Sequence, residues 1–224
     1  MLGTFDISIW NEIQERIWSC DRCLNNDRVA WKIRQRTEAP SQPVKLMLVG
    51  VAPPHVNGVT TKTLANSATN DPNDNLRAFV VAALGDPWET LFARGLYLIH
   101  AVKCAIVPKD GHQNPPHDVI EACAPHHFVQ EILLTQPSAI VVFGKAPFRA
   151  ILRVPGVRQA MPRGLGFSCS VVTLAEKTKD GVRINTDAWN FQLFGSPFPL
   201  RAPNQAAEIL REAASYAGVI RMSK

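Results

Sequence analysis

Three nearly continuous apolar runs constrain the fold of this chain more than any other feature of its sequence. They cover residues 44–50, 95–102 and 138–144, and the first and third end at a glycine. Runs of this length without regular polar alternation are typical of strands buried on both faces, as in parallel sheets. Segments with helical spacing separate the runs, which indicates an α/β fold.

The remaining segments complete the predicted fold. Residues 167–174 have the pattern of a fourth strand, and the helix candidates are 9–18, 75–84, 116–136, 145–153 and 204–217. We predict a three-layer α/β/α architecture with a central, mainly parallel four-stranded sheet. Ligands of such sheets bind beyond the carboxyl ends of the strands, which here are residues 50–57, 100–104, 144–146 and 195–201.

The composition bears on the size of the core and on where the protein is expected. It has 224 residues, of which 46% are hydrophobic and 19% charged, enough to bury a sizeable core in one domain. No apolar run reaches the roughly 18 to 20 residues of a membrane-spanning helix, and residues 1–10 lack the pattern of a signal peptide. We therefore expect a soluble, cytoplasmic, monomeric protein with no membrane partner.

The net charge of +5 is unevenly distributed along the chain. Residues 144–183 contain two acidic and eight basic side chains, the latter being Lys145, Arg149, Arg153, Arg158, Arg163, Lys177, Lys179 and Arg183. A basic face can bind a polyanion such as nucleic acid. An ordinary solvated surface has the same composition, so the charge alone leaves both interpretations open.

Four of the five cysteines have a spacing that fits a metal centre. Cys20 and Cys23 form a C-x-x-C pair, and Cys104 and Cys123 follow far downstream. A disulfide framework is not expected, because reducing compartments keep thiols free. Four thiolates can hold an iron-sulfur cluster or a zinc ion, and spacing alone leaves unrelated core thiols as a third alternative. Cys169 stands apart and is predicted to be a small buried hydrophobic residue.

The order and spacing of five motifs resemble the iron-sulfur uracil-DNA glycosylases, families four and five of that superfamily. The motifs lie at residues 20–23, 48–53, 97–104, 114–123 and 136–146. The resemblance implies one glycosylase-like domain over residues 1–224, with its core at about 14–217. It also implies a [4Fe-4S] cluster on Cys20, Cys23, Cys104 and Cys123, with zinc as the alternative.

The same resemblance implies an enzyme of base excision repair whose partner is DNA. Such an enzyme flips uracil or another deaminated base out of the DNA and hydrolyses its N-glycosidic bond. Two alternatives remain open on the residues. One is a catalytically weak or inactive iron-sulfur DNA-binding protein of the same fold, and the other is a small zinc or cluster protein of unrelated role.

In the family, the segment after the first strand helps to place a water molecule near the sugar of the flipped nucleotide. Its counterparts here are Val51, Ala52, Pro53 and Asn57 for base binding and His55 for catalysis. Because valine replaces the acidic residue of family four, the resemblance is closer to family five, which has an aspartate further along this loop. That aspartate corresponds to Asp71, or else Asp74, although a carboxylate there also suits a helix N-terminus.

Two further residues are candidates for contacts with the base. His100 lies where many relatives have an asparagine that binds the uracil edge, and Asn114 resembles an asparagine of family five. A histidine at a strand end is also commonly an ordinary hydrogen-bonded polar group, so both interpretations of His100 stand.

The second motif of the family departs most from its usual form. Ser196 stands where relatives have a histidine that donates to the departing uracil. Serine is a neutral donor with a shorter reach, and loss of one preorganised donor typically costs about 3 to 4 kcal/mol, so the resemblance leaves uracil excision in question unless His55 or His100 substitutes. The residues expected to form the DNA-intercalating loop are Pro197, Phe198, Leu200 and Arg201.

Overall fold

The structure, a computed structural model, describes residues 5–34, 37–53, 75–109 and 114–220. No helix within these ranges is long and apolar enough to cross a membrane. In chain order the elements are α1 Ile7–Ser19, β1 Val29–Arg34, β2 Leu46–Gly50, α2 Asn75–Leu84, α3 Trp88–Ala93, β3 Leu96–His100, β4 Cys104–Ile106, α4 His117–Cys123, the π-helix Ala124–Phe128, α5 Val129–Thr135, β5 Ala139–Phe143, α6 Lys145–Ile151, α7 Val157–Ala160, α8 Val171–Thr178, β6 Val182–Asn185, β7 Asn190–Ser196 and α9 Pro203–Tyr216.

Five strands form the central sheet, in the order β3-β2-β5-β7-β6. Neighbours among the first four strands run parallel, and β6 pairs antiparallel with β7 at one edge. The predicted α/β class with a mainly parallel sheet is therefore confirmed, with one strand more than predicted. A separate two-stranded sheet pairs β1 with β4.

Alternation of side chains along the strands produces two apolar layers. In β2, Met47 and Val49 belong to one core cluster, whereas Leu46 and Leu48 belong to the other. Helices α1, α4 and α6 contribute to the first cluster, and α2, α3 and α9 to the second. All of β2 is buried, as expected for a strand covered by helices on both faces. This is the predicted three-layer arrangement.

The strand predicted at residues 167–174 is wrong. Helix α8 begins there, and the Ser170 hydroxyl caps it by accepting a hydrogen bond of 3.0 Å from the Thr173 N–H. Leu174 and Thr178 recur at helical spacing on its buried face. A serine cap before helically spaced apolar residues outweighs the strand preference of valine and threonine. The fourth parallel strand is β7, which the sequence pattern did not identify.

The helix predicted at residues 116–136 is present, but a π-helix interrupts it. The N–H of Val129 donates to the carbonyl of Ala124, five residues earlier, between α4 and α5. A π-turn holds one residue more than an α-turn and is frequent at functional sites. Here it directly follows Cys123.

Lys103, just before β4, and Glu131 of α5 form an ion pair in the protein interior. Their side chains are 3% and 0% exposed, respectively. Glu131 Oε1 also accepts hydrogen bonds from Gln14 Nε2 at 2.9 Å and from Thr37 Oγ1 at 3.3 Å. The N–H of Thr37 in turn donates to Gln14 Oε1 at 2.8 Å. The network thus joins α1, the segment before β2, the segment between β3 and β4, and α5.

Replacement of one member should show how much this network stabilises the fold. Glu131→Gln leaves the Lys103 ammonium buried without a counter-charge, which typically costs about 3–5 kcal/mol. Asp86→Asn is the matched control, because it breaks the Asp86–Arg94 pair of 2.6 Å at the surface and should cost less than about 1 kcal/mol. Chemical denaturation measures both free energies of unfolding. Equal losses in the two variants would contradict the assigned role of the buried pair.

Candidate active site and cysteine cavity

The carboxyl ends of four parallel strands meet along one edge of the central sheet. Gly50 of β2 pairs with His100 of β3, and Phe143 of β5 pairs with Ser196 of β7. The N–H of Gly144 donates to the carbonyl of Ser196 at 2.8 Å, which continues the pairing past the end of β5. The structure therefore brings the predicted strand ends to a common edge.

His100 is buried at this edge and packs against the backbone of Gly50. A Cβ at position 50 would lie only 2.8 Å from Cδ2 of His100, so glycine makes this close approach possible. Burial, with a smaller contribution from the positive charge of Lys103, lowers the pKa of His100 to about 3. At neutral pH the imidazole is therefore uncharged, with one donor and one acceptor nitrogen.

Ser196 is fully buried, and its hydroxyl already has a partner. Its Oγ donates to the carbonyl of Pro197 at 2.9 Å. Pro197 has no N–H of its own. The end of β7 thus lacks the outward-directed donor that a histidine would provide.

The loop after β7 separates its two large apolar residues. Phe198 packs against the core cluster beneath α9, whereas Leu200 is 71% exposed. The N–H of Arg201 donates to the carbonyl of Phe198 at 2.9 Å and closes a tight turn. Of the two large apolar residues in the predicted intercalating loop, Leu200 is the one presented to solvent.

The site residues predicted in the segment after β2 fall into two groups. Val51 and Ala52 are half-buried just beyond β2, Pro53 is buried, and the carbonyl of Val51 accepts from the N–H of Val102 at 3.1 Å. The other group lies outside the described residues and consists of His55, Asn57, Asp71 and Asp74.

Asn114 is exposed and lies near the two-stranded sheet. Its carbonyl accepts from Arg28 Nη2 at 3.4 Å, and Arg28 Nε donates to the carbonyl of Val107, just after β4. These contacts are with the β1–β4 part of the structure. They provide no link to the sheet edge where His100 and Ser196 lie.

A small cavity of about 20 Å³ lies between α1, the start of β4 and α4. Its lining residues are Ile17, Cys20, Arg22, Cys23, Leu24, Val29, Val102, Lys103, Cys104, Val119, Ala122, Cys123 and His127. The fold thus brings together the four cysteines that the sequence singles out, from three distant segments. Cys169 is buried elsewhere, and its Sγ donates to the carbonyl of Ser170 at 3.4 Å.

The sulfur spacing that a site requires depends on the metal group that it holds. Within the described ranges, no three His, Cys, Asp or Glu side chains form a group that could hold one metal ion. A tetrahedral zinc ion needs sulfurs about 3.8 Å apart, given Zn–S bonds of about 2.3 Å. A four-iron cluster separates its thiolates more widely, because each thiolate binds a different iron. The cysteines that line the cavity supply the donor set that either group needs.

Burial shifts the pKa values of three residues in the cavity. It raises the pKa of the Cys123 thiol to about 12 and also raises that of Cys23. The Cys123 sulfur accepts a hydrogen bond of 3.4 Å from the N–H of Lys103. His127 is buried as well, its pKa is lowered to about 4, and neither ring nitrogen has a hydrogen-bond partner among the described residues. Sequence reasoning missed His127.

The basic stretch is distributed over several elements and is partly occupied by internal contacts. Arg153 Nη2 lies 2.5 Å from Glu121 Oε1, and its guanidinium lies 4.5 Å from the ring centroid of Phe167. The guanidinium of Arg158 lies 5.3 Å from the same ring. Lys145 directly follows Gly144 and is the member of the stretch nearest the sheet edge along the chain.

A comparison with protein-family models identifies the family of this chain. The model described as UDG, the uracil DNA glycosylase superfamily, matches residues 37–207, about three quarters of the chain. The chain belongs to the uracil DNA glycosylase superfamily. No curated protein matches the sequence.

Membership in the uracil DNA glycosylase superfamily gives this chain a DNA glycosylase-like function with DNA as its substrate. The matched region includes the four parallel strands, their common edge and the loop after β7. It also includes Cys104 and Cys123 but begins after Cys20 and Cys23. The superfamily match therefore says nothing of an iron-sulfur subtype.

The buried state of His100 can be tested by titration. We expect its ring resonances in NMR spectra to stay unchanged from about pH 8 to about pH 5, because its pKa is lowered to about 3. The unfolded chain binds this proton near pH 6.5, so the free energy of unfolding should decrease as the pH falls from about 6.5 to about 3. His100→Gln identifies the resonances and should weaken that decrease. Titration of the His100 ring near pH 6.5 would contradict its burial.

The contact between Gly50 and His100 predicts a second effect. Gly50→Ala should displace the imidazole and lower the free energy of unfolding by about 1–3 kcal/mol, as overpacking commonly does. Gly166→Ala is the control, because a Cβ there meets nothing within 4 Å and should change stability by less than about 1 kcal/mol. Denaturation curves and the His100 resonances measure both effects. Unshifted resonances in Gly50→Ala would mean that the ring does not pack on this glycine.

Proposed function

We propose that the protein hydrolyses the N-glycosidic bond of uracil or another deaminated base in DNA, as a step of base excision repair. The observation that carries the proposal is the neutral, buried imidazole of His100 beside Gly50, at the edge where four parallel strands end. Ligands of parallel α/β sheets bind at that edge. Superfamily membership supplies the reaction class.

In this proposal the target base leaves the DNA stack and enters the space beyond the strand ends. A neutral imidazole can both donate to a base carbonyl and accept from a base N–H. Cleavage forms an oxocarbenium-like sugar and a departing base that gains negative charge. Asp71 and His55 are the proposed groups for placing the attacking water and stabilising the sugar. Leu200 fills the space that the extruded nucleotide leaves, because it is large, apolar and exposed.

Ser196 sets the expected rate on uracil. Its hydroxyl donates to the Pro197 carbonyl, so it is not available to the departing base without breaking that bond. Loss of one preorganised donor typically slows such a step by about 10² to 10³. The same observation favours a second candidate function, a DNA-binding protein of this fold with weak or no catalysis.

An assay of base release separates the two functions. Oligonucleotides with uracil, hypoxanthine or xanthine are incubated with the protein, and alkali cleaves the resulting abasic sites. We expect release of at least one of these bases, and His100→Leu should slow it by about ten- to a hundredfold through loss of a hydrogen bond to the base. His126→Leu, at an exposed histidine outside the sheet edge, is the matched control. Binding of all three oligonucleotides without release of any base would establish the second function.

We also propose that Cys20, Cys23, Cys104 and Cys123 hold a [4Fe-4S] cluster. The support is their common cavity and the imidazole of His127 beside them, whose buried nitrogens have no hydrogen-bond partner among the described residues. When bound, the cluster supplies a covalent cross-link between α1, the start of β4 and α4. Zinc remains the alternative occupant.

Metal analysis tests this assignment. Protein purified without oxygen should contain about four irons and four sulfides per chain, and Cys23→Ser should lose them and melt at a lower temperature. Cys169→Ser is the matched control, since Cys169 lies outside the cavity and should leave the iron content unchanged. One zinc per chain and no iron would assign the cavity to zinc.

A further inference from the structure

His127 occupies a position that a purely structural histidine does not explain. It is 4% exposed, and both Nδ1 and Nε2 are buried without a hydrogen-bond partner in the part of the chain that the structure describes. Buried polar atoms in native proteins nearly always have partners, so two unpaired nitrogens on one ring indicate that a partner is yet to be accounted for. The ring lines the same cavity as the four cysteines.

The side chains that line the cavity indicate which kind of atom can be that partner. Imidazole has at least one N–H in either protonation state and therefore needs an acceptor. The other lining side chains are apolar, or are the donors Arg22 and Lys103, or are the four cysteines. Sulfur is thus the acceptor that the cavity side chains offer to His127.

The backbone explains how the ring reaches this place. His127 lies in the π-helix that directly follows Cys123, where an N–H bonds to the carbonyl five residues earlier. The wider turn changes the direction in which residues after Cys123 project, compared with a continuous α-helix. His126, next in sequence, is exposed on the outside of the same turn.

We propose that His127 donates an N–H hydrogen bond to a sulfur of the cluster, either a bridging sulfide or a cysteine thiolate, and thereby sets the reduction potential and the stability of the cluster. This inference rests on the proposed cluster, which it extends by a residue outside the four ligands. In the proposed cluster each of the four thiolates would bind one iron, so His127 would not be an iron ligand. Its role is therefore that of a positioning residue. A hydrogen bond to sulfur stabilises the more negatively charged, reduced cluster, and its removal lowers the reduction potential.

Three variants and the parent protein, all with clusters loaded without oxygen, test this proposal. His127→Leu removes the donor, His127→Gln keeps an N–H donor, and His126→Leu is the neighbouring control. We expect full iron content in all four proteins. His127→Leu should lower the reduction potential by the equivalent of about a tenfold change in the equilibrium constant, about 59 mV for one electron. It should also lose iron to a chelator several times faster, while His127→Gln recovers part of both effects and His126→Leu changes neither.

A measurement on the parent makes the test independent of the folding of any variant. Pulsed electron paramagnetic resonance of the paramagnetic cluster in protein with ¹⁵N-labelled histidine should show one weakly coupled nitrogen, as a hydrogen bond to sulfur produces. A strong coupling would identify His127 as an iron ligand and overturn the proposal. Absence of any coupling, or an unchanged potential in His127→Leu, would also overturn it. Parent protein without iron would refute the cluster and this inference together, whereas the base-release assay decides the glycosylase function separately.

Discussion

The ion pair between Lys103 and Glu131 is the contact on which both sites of this molecule depend. Lys103 lies three residues after His100 and immediately before Cys104, and its own N–H donates to the sulfur of Cys123. Its side chain is held by Glu131, which also binds Gln14 of α1. The short segment 100–104 therefore belongs to the edge of the sheet at one end and to the cysteine cavity at the other. A charge buried this deeply tolerates little displacement, because the loss of its partner leaves it without compensation.

This shared segment couples the two sites physically. The charge of Lys103 contributes to the lowered pKa of His100 at the sheet edge and to that of His127 in the cavity. A group that cross-links Cys104 to Cys20 would also fix the backbone from which His100 projects. The cysteine cavity can thus affect base recognition without containing any reacting atom, through the position of one short segment.

The sequence predicted the structure best where a residue pattern can be packed in only one way. Buried runs such as residues 46–50 have to lie between two layers of helices, so the parallel sheet and its common edge could be predicted. Local competition explains the failure at residues 167–174, where Ser170 caps a helix in a segment rich in strand-forming residues. His127 could not be found in this way, because its significance depends on a cavity formed by segments about a hundred residues apart and on a π-turn. Such a turn leaves no pattern in the sequence.

Under the proposed function, the position of Ser196 limits which residues could replace the histidine that the family resemblance implies. His100 is on β3 and Ser196 on β7, with β2 and β5 between them. Adjacent strands lie about 4.8 Å apart, so the two strand ends are separated by about 14 Å, more than the width of a base. His100 can therefore contact one side of a bound base but cannot take over a donor position at the end of β7. Pro197 does not compensate, because it has no N–H, and the Ser196 hydroxyl is bonded to the Pro197 carbonyl. In the proposed reaction the absent donor would thus lie on one side of the base, and a base that disperses its own negative charge well on departure would depend least on that donor.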